Sequence, residues 1–278
     1  MLNNHSLSQI LRKTWIAYEK KVHLSRNHIS PKNIHQLRIS TQKLEAVLTL
    51  ANSLHSTHHS KNIIVLIKNV RKSLGPLRDI QVESTALENL RDENLNGHKQ
   101  REFSTFFSKQ KSKAKKKAAS CLQKIELVSE SKRVEKPVKK LEQVELKQDK
   151  NKIQSQLDLK MKSSAQKFNK VMRAVNPENI KEIHRFRIMA KKLRYQGECV
   201  NSLTGLAQYD LPALKRIQSV AGRIQNDSIL ISTLEQFLAK KKYEDDPRAL
   251  KIKKRIEDNQ LKLIKKDFNQ LSVVKWQK

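Results

Sequence analysis

The sequence predicts an all-α fold of two pseudo-symmetric four-helix bundles, and three observations lead there. Apolar residues recur at spacings of three and four almost throughout, the period of helices that bury one stripe. A phrase of the form I-H-x-[LF]-R-I-x-x-x-K-L occurs twice, at 34–44 and at 183–193. A glycine-centred feature also recurs: 74–82 read Leu-Gly-Pro-Leu-Arg-Asp-Ile-Gln-Val and 221–230 read Ala-Gly-Arg-Ile-Gln-Asn-Asp-Ser-Ile-Leu. His35 and His184 lie 149 residues apart and Gly75 and Gly222 lie 147 apart, so two independent features share nearly one offset. That is the mark of a tandem duplication.

The elements follow in order from periodicity and punctuation. Helices are predicted near 6–25, 31–54, 59–93 and 98–127, then near 150–174, 177–204, 210–241 and 246–271. Breaks fall at Ser30-Pro31, Asn96-Gly97, Asn176-Pro177, Leu211-Pro212 and Asp246-Pro247, as proline and glycine punctuation requires. Pro31, Pro177, Pro212 and Pro247 each suit the first turn of a helix, where no amide donor is needed. With only 5 Gly and 6 Pro in 278 residues the chain is helix-prone throughout. Its single Asn-Gly, Asn96-Gly97, reads as a helix–helix connection. The stretch 128–149 is charged, poor in large apolar residues and interrupted by Pro137, and reads as a linker. The expected organisation is one domain of two repeats, about 1–130 and about 149–278, each supplying four helices that satisfy their apolar stripes by bundling.

Charge narrows the function. The chain carries 58 Lys+Arg against 27 Asp+Glu, a formal net charge of +31. Such an excess repels itself in a compact state and favours a polyanionic partner. Two cysteines, Cys121 and Cys199, make no disulfide framework and lack metal-ligand spacing, which fits a reduced cytoplasmic setting. The N-terminal segment has no basic region followed by an apolar run, so no signal peptide is expected. Apolar stretches such as 63–67 fall far short of the roughly 20 residues that span a bilayer, so no membrane partner is expected.

At about 100° per helical residue, Ile34, Leu37, Leu44 and Leu48 fall on one stripe, and Arg38 and Lys43 flank His35 on the other side. In the second copy Ile183, Phe186 and Leu193 form the core stripe; Arg187, Lys191, Lys192 and Arg194 border it beside His184. Cations with packed stems and presented heads can line a groove. Arginine meets two phosphate oxygens with a planar fork and lysine supplies a mobile charge. Histidine among cations is expected to have a depressed pKa and to donate one hydrogen bond while neutral. Gly75 and Gly222 are expected to permit close packing or a bend, and Asp79 to cap or to pair with a cation. Arg71, Lys72 and Arg78 are second-rank anion contacts, with Arg216 and Arg223 as counterparts. The basic run 109–117 reads as a solvated helix face.

These residues resemble the CHAD family, an alpha-helical domain named for its histidines, whose repeat looks like H-x-L-R-V-A-x-[RK]-[RK]-L-R followed by L-G-x-[LV]-[RN]-D. The resemblance covers nearly the whole chain. It implies two four-helix bundles about a pseudo-twofold axis and a basic channel or groove that binds inorganic polyphosphate. His35, Arg38 and Lys43 match in the first copy, and His184, Arg187, Lys191, Lys192 and Arg194 in the second. Gln42 and Glu45 stand where the family has basic residues, so the first half-site is expected to be the weaker. In the second glycine feature Ala221 replaces leucine, and either Asn226 or Asp227 takes the aspartate position.

The function expected is non-catalytic binding of inorganic polyphosphate in a basic groove between the two bundles that both stripes face, without metal or cofactor, in the cytoplasm and with association with polyphosphate granules left open. The alternative is a nucleic-acid-binding helical protein. Against it, aromatic residues are only 5% and none interleave with the basic stripe to stack bases. An enzyme acting on phosphate chains would call for carboxylates holding divalent metal, and no paired acidic motif or phosphate loop ending in Gly-Lys-Ser/Thr accompanies the histidines.

Overall fold

The computed structural model describes residues 6–89, 98–205, 210–239 and 247–271. Within them the chain is helical, with no strand. The helices are α1 (Leu7–Asn27), α2 (Pro31–Leu54), α3 (His58–Ser73), α4 (Gly75–Asn89), α5 (His98–Gln123), α6 (Leu127–Lys147), α7 (Lys150–Ala174), α8 (Ile180–Thr204), α9 (Leu211–Leu238) and α10 (Pro247–Leu263), the last running into a π-helical turn at Ile264–Phe268.

Side chains set most of the starts. Ser6 and Gln9 form a reciprocal capping box at α1; Ser30 caps α2 with Pro31 behind it; Thr57 caps α3; Asp210 accepts from the Ala213 amide ahead of α9. Each satisfies an amide that the first turn leaves without a partner. Gly205 closes α8 at φ +70°, a left-handed conformation that a side chain disfavours.

The chain departs from the sequence expectation in four places. The helix expected at 59–93 breaks into α3 and α4 at Leu74. Pro76 removes an amide donor there, whereas the second copy has Arg223 at the matching step and α9 continues unbroken. The stretch 128–149 is not a linker but helix α6, and Pro137 sits inside it. Leu127, Glu130, Val134, Pro137, Val138 and Leu141 are buried at helical spacing, and α6 packs on α1 and α3. Arg12 of α1 pairs with Glu135 at 3.0 Å and Glu142 at 3.3 Å, and Glu145 accepts from the amide and hydroxyl of Ser8. Pro177 lies in a turn between Asn176 and Asn179, not in the first turn of α8; Asn179 caps that helix through the Lys181 and Glu182 amides. The last helix ends regularly at Leu263. The Asn96-Gly97 connection and residues 90–93, 240, 241 and 246 of the expected helices lie outside the described residues.

The pairing of helices recurs along the chain. α1 packs on α2 as α7 packs on α8, and α2 meets α3 and α4 as α8 meets α9. α5 lies on α4 as α10 lies on α9. The two sets are joined where α2 packs against α8 and α4 against α9. Ile34, Leu37, Leu44, Leu48, Ile183 and Phe186 are wholly buried and Leu193 nearly so, so both repeated phrases turn their apolar stripe inward as their spacing requires. One buried cluster runs through both sets. No helix among the described residues is long and apolar enough to cross a membrane.

A cation cluster as the candidate site

Because α2 packs on α8, the repeated arginines meet. Arg38 stands in the electrostatic field of Arg71, Arg78, Arg187 and Asp79. Its Nη1 donates to the Arg71 carbonyl at 2.6 Å. Arg187 donates from Nη1 to Gln225 Oε1 at 2.8 Å and likewise faces Asp79. Burial lowers the pKa of both guanidinium groups, although an arginine stays charged in any ordinary protein site.

The two glycines explain how these side chains lie so close to a helix. A Cβ at Gly222 would come within 3.1 Å of Arg187 Nε and 3.2 Å of its Nη2. A Cβ at Gly75 would lie 3.6 Å from Arg38 Nη1. What approaches each glycine is therefore the arginine of its own repeat, not another helix backbone.

Lys191 lies at the centre. Burial foremost, and then the charges of Arg187, Arg38, Arg194 and Arg71, push its pKa down to about 7. Those arginines come from α2, α3 and α8, so both copies of the phrase contribute. Burial, then Arg78, Lys191 and Arg38, lowers His35, in the direction expected for a histidine among cations. His184 is exposed and acts on Asp79 together with Arg38, Arg187 and Arg78. Burial nonetheless raises the Asp79 carboxyl above its usual range. One aspartate thus lies in the field of the arginines of both copies, without the expected ion pair to a cation among the described residues. In the second copy neither Asn226 nor Asp227 takes that part: both line a cleft with Arg223, and Arg187 uses Gln225.

Several guanidinium donors are left over. Arg71 Nη1, Arg187 Nε and Arg194 Nε are buried without a hydrogen-bond partner among the described residues, although Arg194 Nε lies 3.4 Å from Glu198 Oε1 in an ion pair. Unpaired buried donors of charged groups are costly, and an anion with several oxygens would satisfy them. His35, Arg38, Arg71, Arg78, Lys191, Arg187, Arg194 and His184 are thus linked as one set of electrostatic neighbours.

Other candidates lie apart from it. Lys43 sits 3.8 Å from Glu198. Lys192 lies by Glu45, Lys68 and Lys160. Lys72 and Arg216 are exposed and join no ion pair among the described residues. Arg223 is held by Asp267 at 2.7 Å, in the cleft lined by Asn226, Asp227, Lys262 and Lys266. Sequence reasoning passed over Gln225 and Glu198. Glu198 carried a signal, since it stands four residues after Arg194, the spacing of a helical ion pair. Glu45 binds Arg71 at 2.6 Å and Lys68 at 3.3 Å, so the first copy neutralises part of its own charge, in line with the expected inequality. Lys109, Lys111, Lys113, Lys115, Lys116 and Lys117 are exposed while Ala114 and Ala118 are buried, the solvated face that the spacing predicts. Among the described residues no group of three or more His, Cys, Asp or Glu is placed to hold a metal ion.

Fold and site together define a helical protein whose two repeated helices pool their cations into one cluster. The CHAD domain family model matches residues 9–235, and the chain belongs to that family. The crystal structure of the CHAD domain from the plant Ricinus communis superposes with a TM-score of 0.67 at 16% identity, covering 100% of this chain and 96% of that one, so the two share a fold. No curated protein matches the chain.

Proposed function

We propose that the protein binds inorganic polyphosphate, without catalysis, in the cluster formed by Arg38, Arg71, Arg78, Arg187, Lys191 and Arg194 with His35 and His184 at its edge. The observation that carries this reading is Lys191: a half-buried lysine whose strongest charged neighbours are four arginines. Such a centre is unfavourable by itself and becomes favourable when an anion enters. A single phosphate would meet only part of the group. A chain of phosphates, with a charge on nearly every unit, can meet cations from both repeats at once. Membership of the CHAD family, which is associated with polyphosphate, agrees with this. Neutralising several phosphates releases counterions, so affinity should fall steeply with salt.

The test compares two double reversals by titration with long-chain polyphosphate at fixed ionic strength. Arg187→Glu with Lys191→Glu should weaken binding far more than Lys113→Glu with Lys115→Glu, which changes net charge equally. Equal losses would assign binding to diffuse charge. Competition with duplex and single-stranded DNA separates this reading from nucleic-acid binding; tighter DNA binding would overturn it. A phosphate-release assay with magnesium that stays at background is the expected result for a non-catalytic binder. Free Cys121 and Cys199 suit a reducing compartment, and we place the protein in the cytoplasm, where polyphosphate granules would be accessible to it.

A further inference from the structure

We infer that Lys68 and Arg71 of α3 form a phosphate subsite at the edge of the cluster, filled in the free protein by the carboxylate of Glu45. The inference rests on the cluster being a polyphosphate site, and it names a residue that limits how many phosphates that site holds. Lys68 and Arg71 stand three residues apart, so one face of α3 presents both heads. Glu45 reaches them from α2 with one oxygen each: Oε2 lies 2.6 Å from Arg71 Nη2 and Oε1 lies 3.3 Å from Lys68 Nζ. Two oxygens divided between two cations is also the arrangement that one phosphate unit offers. The Glu45 side chain is only 14% exposed, so the carboxylate is seated between the cations and not left in solvent.

Two observations join this seat to the cluster. The Arg71 carbonyl accepts from Arg38 Nη1 at 2.6 Å. The Arg71 guanidinium that gives Nη2 to Glu45 keeps Nη1 buried without a hydrogen-bond partner among the described residues. A phosphate drawn to Nη1 therefore arrives beside a carboxylate, and like charges at that range repel. The repeat shows what stands at the matching place in the other half. His35 and His184 lie 149 residues apart, and so do Glu45 and Arg194. The second copy thus has a cation where the first has an anion. While Glu45 keeps its charge, Lys68 is neutralised and adds little to binding. Once that charge is removed, Lys68 and Arg71 Nη2 are free to take one more phosphate.

The test measures the affinity of the full chain for long-chain polyphosphate across a salt series. Glu45→Gln keeps the shape of the side chain and removes its charge. It should tighten binding about tenfold, the lower end of what one charge-assisted hydrogen bond contributes. It should also steepen the dependence of log Kd on log salt by about 0.7, one more phosphate neutralised on the scale of single-stranded nucleic acid. Lys68→Gln alone should change affinity by less than about threefold; added to Glu45→Gln it should remove most of the gain. Glu135→Gln makes the same change of charge at the Arg12 pair and should alter affinity by less than about threefold. Weaker binding by Glu45→Gln would make the carboxylate an anchor for Arg71 and overturn the inference. Equal gains from Glu45→Gln and Glu135→Gln, or additive effects of Glu45→Gln and Lys68→Gln, would overturn it too. A parent chain that does not bind polyphosphate overturns the functional reading instead. The subsite is then decided in crystals of Glu45→Gln soaked in sulfate: an ion on Arg71 Nη2 and Lys68 Nζ upholds it, and an empty position overturns it.

Discussion

Gly222→Ala should cost anion affinity while leaving the fold standing. A Cβ at that position would sit 3.1 Å from Arg187 Nε and 3.2 Å from Nη2, closer than atoms ordinarily pack, and the flexible guanidinium is what gives way. Two effects on stability then oppose each other. Alanine in a helix interior gains about 1 kcal/mol over glycine. Displacing Arg187 endangers its 2.8 Å bond to Gln225, worth about 1 kcal/mol. The melting temperature should therefore stay within about 3 °C of the parent. Binding has no such compensation. Losing one charge-assisted contact costs about 1.5–3 kcal/mol, or roughly ten- to a hundredfold in Kd. Gly75→Ala is the internal control, because its Cβ would lie 3.6 Å from Arg38 Nη1, an ordinary contact, and its affinity should change by less than about threefold. Calorimetric titration with polyphosphate of defined length reads both variants. Equal losses at the two glycines, or none at Gly222, would refute the reasoning that glycine is there to admit the arginine.

Two further outcomes follow from titrating groups. Phosphate favours the charged form of Lys191, so binding takes up a proton above the free group's value of about 7; affinity should fall as pH rises from 7 to 9, by up to about tenfold per unit, and Lys191→Arg should flatten that fall. Glu83 is buried on α4 near Asp79, and its pKa is raised from 4.5 to about 7, chiefly by burial. The folded state therefore holds a proton that the unfolded chain gives up, and stability drains away as pH climbs from about 4.5 through about 7. Glu83→Gln should raise the melting temperature more at pH 8 than at pH 5; an equal change at both would deny the buried charge a role.

The core of this fold could be read from the chain because the repeated phrases alternate apolar and basic residues at helical spacing. Leu37, Leu44, Ile183 and Phe186 are buried where their helix angles place them. Angles along one helix do not say which neighbour covers the next sector. Lys72 and Arg216 therefore looked equivalent to Arg71 and Arg78, yet only the latter pair faces the α2–α8 junction. The duplication implies that both stripes face one shared groove, but which side chains of α3 and α4 join it depends on packing between distant segments. Helix α6 was hidden by Pro137 and by charges that pair with Arg12 across the helix contact, partners more than a hundred residues away. The break at Leu74 is written in Pro76, whose missing amide interrupts the helix although the apolar period runs on through it.

A crystal of the protein soaked with polyphosphate decides whether the repeated helices share one binding site. Phosphate density should lie at the α2–α8 junction, within hydrogen-bond distance of Arg71 Nη1, Arg187 Nε and Lys191 Nζ. Density confined to the exposed lysines of α5, or to the cleft of Arg223 and Asp267, with the junction empty, would contradict it.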